Sequence, residues 1–303
     1  MDIKQLNRLY GIPGHIEFIE GKGSLIIAKV SNNQAEAVIS LYGAHILSFQ
    51  PKDQKDILWM SPQSLFEKGK PIRGGIPVCF PWFGPNPEDK QKPLHGCARL
   101  SDWEVLKTSS LNLEEDETIL VLGLKSNDYT LSLWPFDFSA EMVIKIGKKL
   151  DVTLSYTNTG TNAFTATNAL HSYFSVSDAG EIGISGLEGR HYYDHTVFAK
   201  EANTVQEEKI LKISKQEDRI YINQTDDCLI TDPGWKRSIR VEKRNSKTTV
   251  VWNPWTESVK GMNDIPDEDY KSFVCVEAVN THEDAITLKP VEKHPLSTII
   301  SIE

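Results

Sequence analysis

Seven short runs rich in β-branched residues constrain the fold more than any other feature of this chain: SLIIAKV (Ser24 to Val30), AEAVISLY (Ala35 to Tyr42), TILVLGL (Thr118 to Leu124), AEMVIKI (Ala140 to Ile146), LDVTLSY (Leu150 to Tyr156), TTVVW (Thr248 to Trp252) and SFVCVEAV (Ser272 to Val279). They are bounded by Gly, Asn, Asp or Pro, as strands are. Amphipathic helical stretches are nearly absent, the best being short pieces around Pro62 to Lys68 and near Asp267 to Tyr270. The chain reads as all-β. With no proline-rich or low-complexity linker between its halves, the expected architecture is a single domain over residues 1–303, a large sandwich of two antiparallel sheets. No fixed-period repeat is present, which argues against a propeller or a solenoid.

One segment breaks the strand rhythm. PIRGGIPVCFPWFGPNPEDKQKPLHGCAR (Pro71 to Arg99) holds six of the chain's 15 prolines and reads as neither strand nor helix. A stretch this long is either disordered or an ordered functional loop. Its apolar content (Val78, Phe80, Trp82, Phe83) indicates order.

Charge and cysteine usage exclude several partners. Lys and Arg number 33 against 42 Asp and Glu, a net charge of -9. Electrostatic attraction to nucleic acid or an anionic membrane surface is therefore not expected, and an anionic substrate needs a local basic site. No run approaches the ~18 apolar residues of a membrane helix, and the start, MDIKQLNRLYG, is neither a secretory signal nor a basic transit peptide. Cys79, Cys97, Cys228 and Cys275 are scattered, as expected of reduced, buried thiols in a cytoplasmic protein.

Two residues stand out for chemistry. Alternation in FVCVEAV puts Phe273, Cys275, Glu277 and Val279 on one face and Val274, Val276 and Ala278 on the other. A carboxylate there is partly desolvated, which raises its pKa toward the range of a general base; the alternative is a structural pair with an Arg or Lys. In FTATNALHSYFSV, alternation separates Leu170, Phe174 and Val176 from Thr165, Thr167, His171, Tyr173 and Ser175. His171 thus points away from the sandwich core, either as a surface bystander or as part of an open-faced sugar site.

Arg73 and Arg99 bracket the proline-rich segment, with His95 four residues before Arg99. Two guanidinium groups on a stiff loop can clamp a phosphate dianion bidentately, or each can pair with a nearby acid such as Asp102 or Glu104. A metal site is not expected: in RHYYDHTVF, His191 and His195 share a strand face while Asp194 points away. GKGS at Gly21 to Ser24 lacks phosphate-loop spacing and reads as a turn, and neither GxGxxG nor GxSxG occurs.

PIRGGIPVCFPWFGP, LHGCARLSDWEV, NALHSYFSVSD, EDRIYIN, VVWNPW and FVCVEAVN, in that order, resemble the hexose-6-phosphate mutarotases, or glucose-6-phosphate 1-epimerases, of the aldose 1-epimerase superfamily. The match runs from about Gly43 to Asn280, and the RGG-PxCFPWFG and HGxAR blocks are its most specific parts. The resemblance implies a galactose-mutarotase-like sandwich that interconverts the α and β anomers of an aldohexose 6-phosphate without a cofactor. It implies His171 and Glu277 as the catalytic pair and Arg73 and Arg99 as phosphate-binding groups. His95 would orient the sugar, and Asp218, from the D-x-x-Y motif, would contact it. Leu94 stands where relatives often carry glutamine, so one polar contact to the substrate is expected to be absent. The implied partner is a small hexose phosphate, and a monomer is the expected assembly. Trp252 and Trp255 are candidates either for packing a sugar face or for the core.

Two other classes share parts of this pattern. A sugar-binding module has no need of Glu277 together with His171, and a glycoside hydrolase needs two carboxylates flanking the bond, where the sequence places only Glu277 well.

Overall fold

Alternation along the strands decides which side chains meet in the interior. In Phe138–Ile146, Phe138, Ala140, Met142, Ile144 and Ile146 are all buried, with partly exposed residues between them. The computed structural model describes residues 1–111 and 116–303. In it this strand belongs to an eight-stranded antiparallel sheet ordered Gly183–Ser185, Cys228–Asp232, Arg237–Arg244, Lys293–Ile302, Leu150–Asn158, Phe138–Ile146, Glu117–Lys125 and Glu104–Leu111.

A second eight-stranded sheet faces it. Its order is Thr204–Val205, His191–Asp194, Glu217–Tyr221, Thr248–Asn253, Phe273–Asn280, Asn168–Leu170 and Val78–Cys79, with Tyr173–Ser175 also pairing with Phe273–Asn280. Val251, Val274, Val276 and Ala278 from this sheet join Leu120, Leu122, Met142 and Leu154 from the other in one apolar cluster. A four-stranded sheet, Ile16–Glu20, Ile26–Ser31, Ala35–Ser40 and His45–Pro51, adds Phe18, Ile39, Ile46 and Phe49 to that cluster. The expected antiparallel sandwich is present, and all seven strand segments read from the sequence are strands.

The helical expectations need correction. Pro62 to Lys68 forms no helix: the backbone closes only isolated turns there, such as Ser64 N–H to Ser61 O. Near Asp267 to Tyr270 a single 3₁₀ turn forms, Asp269–Lys271. The longest helix among the described residues is instead Ile3–Tyr10. It is closed by a reciprocal cap in which Asp2 accepts from the Gln5 N–H and the Gln5 side chain accepts from the Asp2 N–H. That D-x-x-Q spacing was the available signal; only Leu6 of the helix is buried, so its apolar period is faint. No helix among the described residues is long and apolar enough to cross a membrane.

The proline-rich segment is ordered, and it is not wholly irregular. Val78–Cys79 is a short edge strand on Ala169 and Leu170, and Ala98–Leu100 is a 3₁₀ turn. Val78, Phe80 and Trp82 are buried. The segment thus joins the edge of the second sheet through Val78–Cys79, and farther along it His95 reaches His171.

Candidate active site

The site follows from a strand register. Leu170 pairs with Ala278 and Tyr173 with Cys275, so the register is unchanged across the unpaired residues between them. His171 therefore lies opposite Glu277. The gap in the ladder costs little because its donors are satisfied: His171 N–H donates to Pro77 O and Ser172 N–H to Leu170 O. On the same face, Tyr173, Cys275, Trp252 and Asp218 form a lateral row across four strands.

The face assigned to His171 by alternation is right, and the openness expected of it is not. His171 is 7% exposed and Glu277 2%. Two satellite apolar clusters flank them: Trp59, Tyr173, Phe273 and Cys275 with Ile265 and Tyr270 on one side, and Cys79, Ala169, Tyr193, Ile220, Val250 and Val279 on the other. Both faces of Phe273–Asn280 are thus covered, and all eight residues are buried.

Glu277 has no Lys or Arg ion-pair partner among the described residues, which removes the structural-pair alternative. Its neighbour is His171, with Nδ1 3.3 Å from Oε1. Neither His171 Nδ1 nor Glu277 Oε2 has an aligned hydrogen-bond partner. The imidazole stacks on the Tyr173 ring at 4.8 Å and 6°, and meets the His95 ring edge-on at 5.6 Å.

The arginines do not pair with Asp102 or Glu104; Asp102 pairs with Lys68. Arg73 is held by Asp264, Nε to Oδ2 3.0 Å, and its Nη1 donates to the Tyr173 hydroxyl at 2.9 Å. Its place is fixed by the two glycines that follow it. Gly75 has φ +61°, and a Cβ there would lie 2.1 Å from Ile46 O. Beside it the buried His45 donates from Nε2 to Gly74 O at 2.7 Å. Arg99 has no carboxylate partner among the described residues. Its Nη2 donates to Leu94 O at 2.8 Å, and its buried Nε is unpartnered. The Leu94 side chain is 51% exposed, so this position serves the site through its carbonyl.

His95 has a defined tautomer. Gly84 N–H donates to its Nδ1 at 3.0 Å, so the neutral ring carries its proton on Nε2. Asp218 is partly exposed, with its Oδ1 3.8 Å from His195 Nδ1. His191 is elsewhere, its Nδ1 against Ala202 O. Trp252 flanks His171 and Tyr173 edge-on, while Trp255 packs on Tyr270. All four cysteines are buried and unbonded.

Sequence reasoning missed three participants. Tyr173 was placed on the right face but given no role, although its period-two spacing from His171 made the contact readable. Asp264 and His45 carried no signal: each meets the RGG turn only through the tertiary fold. His171, Cys275 and Glu277 also offer donor atoms within 4.8 Å of one another, a grouping that could hold a cation. The positive charge of Arg73 and Arg99 acts directly on His171 and opposes one there.

Known proteins resemble this chain along nearly its whole length. Residues 27–301 match the family described as Aldose 1-epimerase. A protein of Escherichia coli (strain K12) named "Putative glucose-6-phosphate 1-epimerase" is 34% identical over 270 residues, 89% of this chain and 88% of its own. A Salmonella typhimurium protein of the same name is 36% identical over 250 residues, 82% and 81% of the two chains. A crystal structure of a "putative mutarotase" from Salmonella typhimurium superposes with a TM-score of 0.88 at 32% identity, covering 96% of this chain and 94% of that one.

Burial sets the protonation of the pair. It pushes Glu277 well above the usual carboxylate range, and the negative charge of Asp218 adds to the shift. It pushes His171 well below the usual imidazole range, helped by the positive charges of Arg73 and Arg99. Burial thus favours the neutral carboxyl and the neutral imidazole, a form in which the two side chains hold one proton between them. Glu277, raised above 4.5, contributes stability that is lost as pH rises; His171, lowered below 6.5, contributes stability that is lost as pH falls. The two oppose each other between those values. The Glu277 contribution taken alone falls as pH rises from 4.5 through its raised folded pKa, since the folded carboxyl keeps a proton that the unfolded one has released. Glu277→Gln removes this slope. The variant is expected to melt higher than wild type, by a margin that widens as pH rises from 4.5 in scanning calorimetry; a margin independent of pH would contradict the burial argument.

Proposed function

The chain belongs to the aldose 1-epimerase family, and we propose that it interconverts the α and β anomers of an aldohexose 6-phosphate, glucose 6-phosphate foremost. The observation that carries this is the buried His171–Glu277 pair facing away from the sandwich core, with Arg73 and Arg99 beside it. A sugar-binding module would gain nothing from burying that pair. The second carboxylate on this face, Asp218, pairs with His195 and is assigned to the sugar.

Anomerisation removes a proton from the C1 hydroxyl and protonates the ring oxygen. The bond between C1 and the ring oxygen breaks, the open-chain aldehyde rotates about C1–C2, and the ring closes on the other carbonyl face. Glu277 as carboxylate takes the hydroxyl proton and His171 as imidazolium supplies the ring-oxygen proton; on closure they exchange roles, so neither is consumed. A pair that shares one proton suits this cycle, since its net protonation is the same before and after. Its desolvated surroundings strengthen each charge interaction in the transition state. His95 offers its Nε2–H to a sugar oxygen, and Asp218 accepts from a sugar hydroxyl.

Arg73 and Arg99 hold the phosphate. Support comes from the charge arithmetic: in a protein of net charge -9, a dianion is attracted only by local groups. Arg99 is partly buried, with its Nε enclosed and no carboxylate partner among the described residues, and the two guanidiniums repel one another, a repulsion that a shared dianion relieves. No step requires a metal or an organic cofactor. Phosphorylated sugars are retained inside cells by their charge, so the cytoplasm is the matching compartment.

Three outcomes test this reading. His171→Ala and Glu277→Gln should each slow anomerisation of pure α-glucose 6-phosphate, followed by optical rotation, by about 10²- to 10⁴-fold. The double variant should lose far less than the product of the two, because the residues act as a unit; near-normal turnover in Glu277→Gln would refute the base assignment. Arg99→Ala should lower the ratio of kcat/KM for glucose 6-phosphate over free glucose by about 10- to 200-fold, as expected for one charge-assisted contact of ~1.5–3 kcal/mol, with Arg99→Lys recovering part. A wild-type ratio near one would leave an ordinary aldose mutarotase. Exhaustive EDTA treatment should leave turnover unchanged, and activity lost together with stoichiometric zinc would overturn the metal-free mechanism.

A further inference from the structure

Tyr173 joins the arginine site to the catalytic pair. Its hydroxyl accepts from Arg73 Nη1 at 2.9 Å, while its ring lies flat against His171 at 4.8 Å. Trp59 stacks with the same ring at 5.9 Å and Phe273 meets it at a tilt, 5.5 Å away, so the phenol is packed against both. Beyond it, His171 meets Glu277 at 3.3 Å. One line of direct contacts thus runs from a phosphate-binding guanidinium through a phenol and an imidazole to a carboxyl.

Resting on the assignment of Arg73 and Arg99 to the phosphate, we infer that Tyr173 is a positioning residue that carries occupancy of the arginine pair to His171, so that the substrate's own phosphate prepares the catalytic pair. The groups facing His171 from each packed element are Tyr173 on its own strand, Arg73, His95 and Arg99 from the proline-rich segment, His45 from the N-terminal sheet, and Cys275 and Glu277 from the strand opposite. Arg73 and Arg99 both bear their positive charge on His171 and disfavour imidazolium. A bound dianion cancels that charge. It also draws Arg73 Nη1 from the Tyr173 oxygen, returning electron density to the ring, and an electron-rich ring stacked on imidazolium stabilises the cation. The shared proton then passes from the Glu277 carboxyl to the His171 ring. The pair gains and loses no proton overall; it becomes carboxylate and imidazolium, the base and acid that ring opening uses. A sugar without phosphate meets the same residues with the proton still on Glu277.

The test splits the substrate. α-Xylose lacks the phosphorylated arm of glucose 6-phosphate, and sulfate supplies a dianion that does not shuttle protons near neutral pH. In wild type, sulfate at constant ionic strength should accelerate xylose anomerisation saturably, by about 5- to 150-fold, the usual range of coupling between sites. It should also move the ring-nitrogen resonances of labelled His171 toward imidazolium. Tyr173→Phe keeps the stacked ring and loses the hydroxyl. It should still bind sulfate by calorimetry yet lose the acceleration, and with glucose 6-phosphate its kcat should fall while KM holds. Sulfate that binds wild type without changing either xylose turnover or the His171 resonances would overturn the inference, as would acceleration preserved in Tyr173→Phe. If that variant folds poorly, wild type with a carbon-labelled tyrosine ring gives a second reading: sulfate should move the Tyr173 resonance together with those of His171, and a His171 shift without one at Tyr173 would overturn the inference. Failure of sulfate to bind, with equal kcat/KM for phosphorylated and free glucose, would instead remove the phosphate assignment on which the inference rests.

Discussion

The pairing of one broken strand with one continuous strand is the constraint on which this site depends. Asn168–Leu170 and Tyr173–Ser175 flank two unpaired residues, yet both pair with Phe273–Asn280 in a single register. A slip of one residue would turn Glu277 into the sandwich core and Val276 out of it. The register is enforced by Val274, Val276 and Ala278, which the core cluster accepts, and by Phe273, Cys275 and Val279, which the two satellite clusters accept. The hydrophobic effect on both faces thus fixes where a carboxylate meets an imidazole.

Covering both faces turns that meeting into chemistry. On a solvated sheet face, Glu277 would be a carboxylate and His171 would titrate near neutrality. Under the proline-rich segment and the satellite clusters, desolvation drives both toward their neutral forms, in which they hold one proton in common. The fold bears an energetic cost for this, as active sites commonly do. In return it holds a carboxyl and an imidazole 3.3 Å apart, the arrangement that the proposed proton exchange uses.

Selectivity is built into a different layer. The arginines sit at the two ends of the proline-rich segment, and each is placed by its own local device. Arg73 precedes two glycines with positive φ, anchored by His45; Arg99 sits in a 3₁₀ turn against the Leu94 carbonyl. The sheets can therefore remain those of the aldose 1-epimerase family while this segment supplies the two guanidinium groups that we assign to an anionic substrate. Through Tyr173 the same segment reaches His171 in one set of direct contacts.

The sequence by itself determined the class of the fold and the faces of its strands, because a period of two and β-branched composition are local properties. It placed His171 and Glu277 on the outward side, and it marked Arg73, His95, Arg99 and Asp218 through motifs. The Ile3–Tyr10 helix escaped notice because a single buried leucine leaves almost no period to read. What only the tertiary structure decided is depth and pairing. That His171 and Glu277 are buried follows from loops distant in sequence folding across their face. That Arg73 binds Asp264 and not Asp102, that Arg99 has no carboxylate partner among the described residues, and that Tyr173 bridges Arg73 to His171 depend on contacts spanning up to 191 residues of chain. Local pattern encodes which way a side chain points; what it meets there is set by the packing of the whole chain.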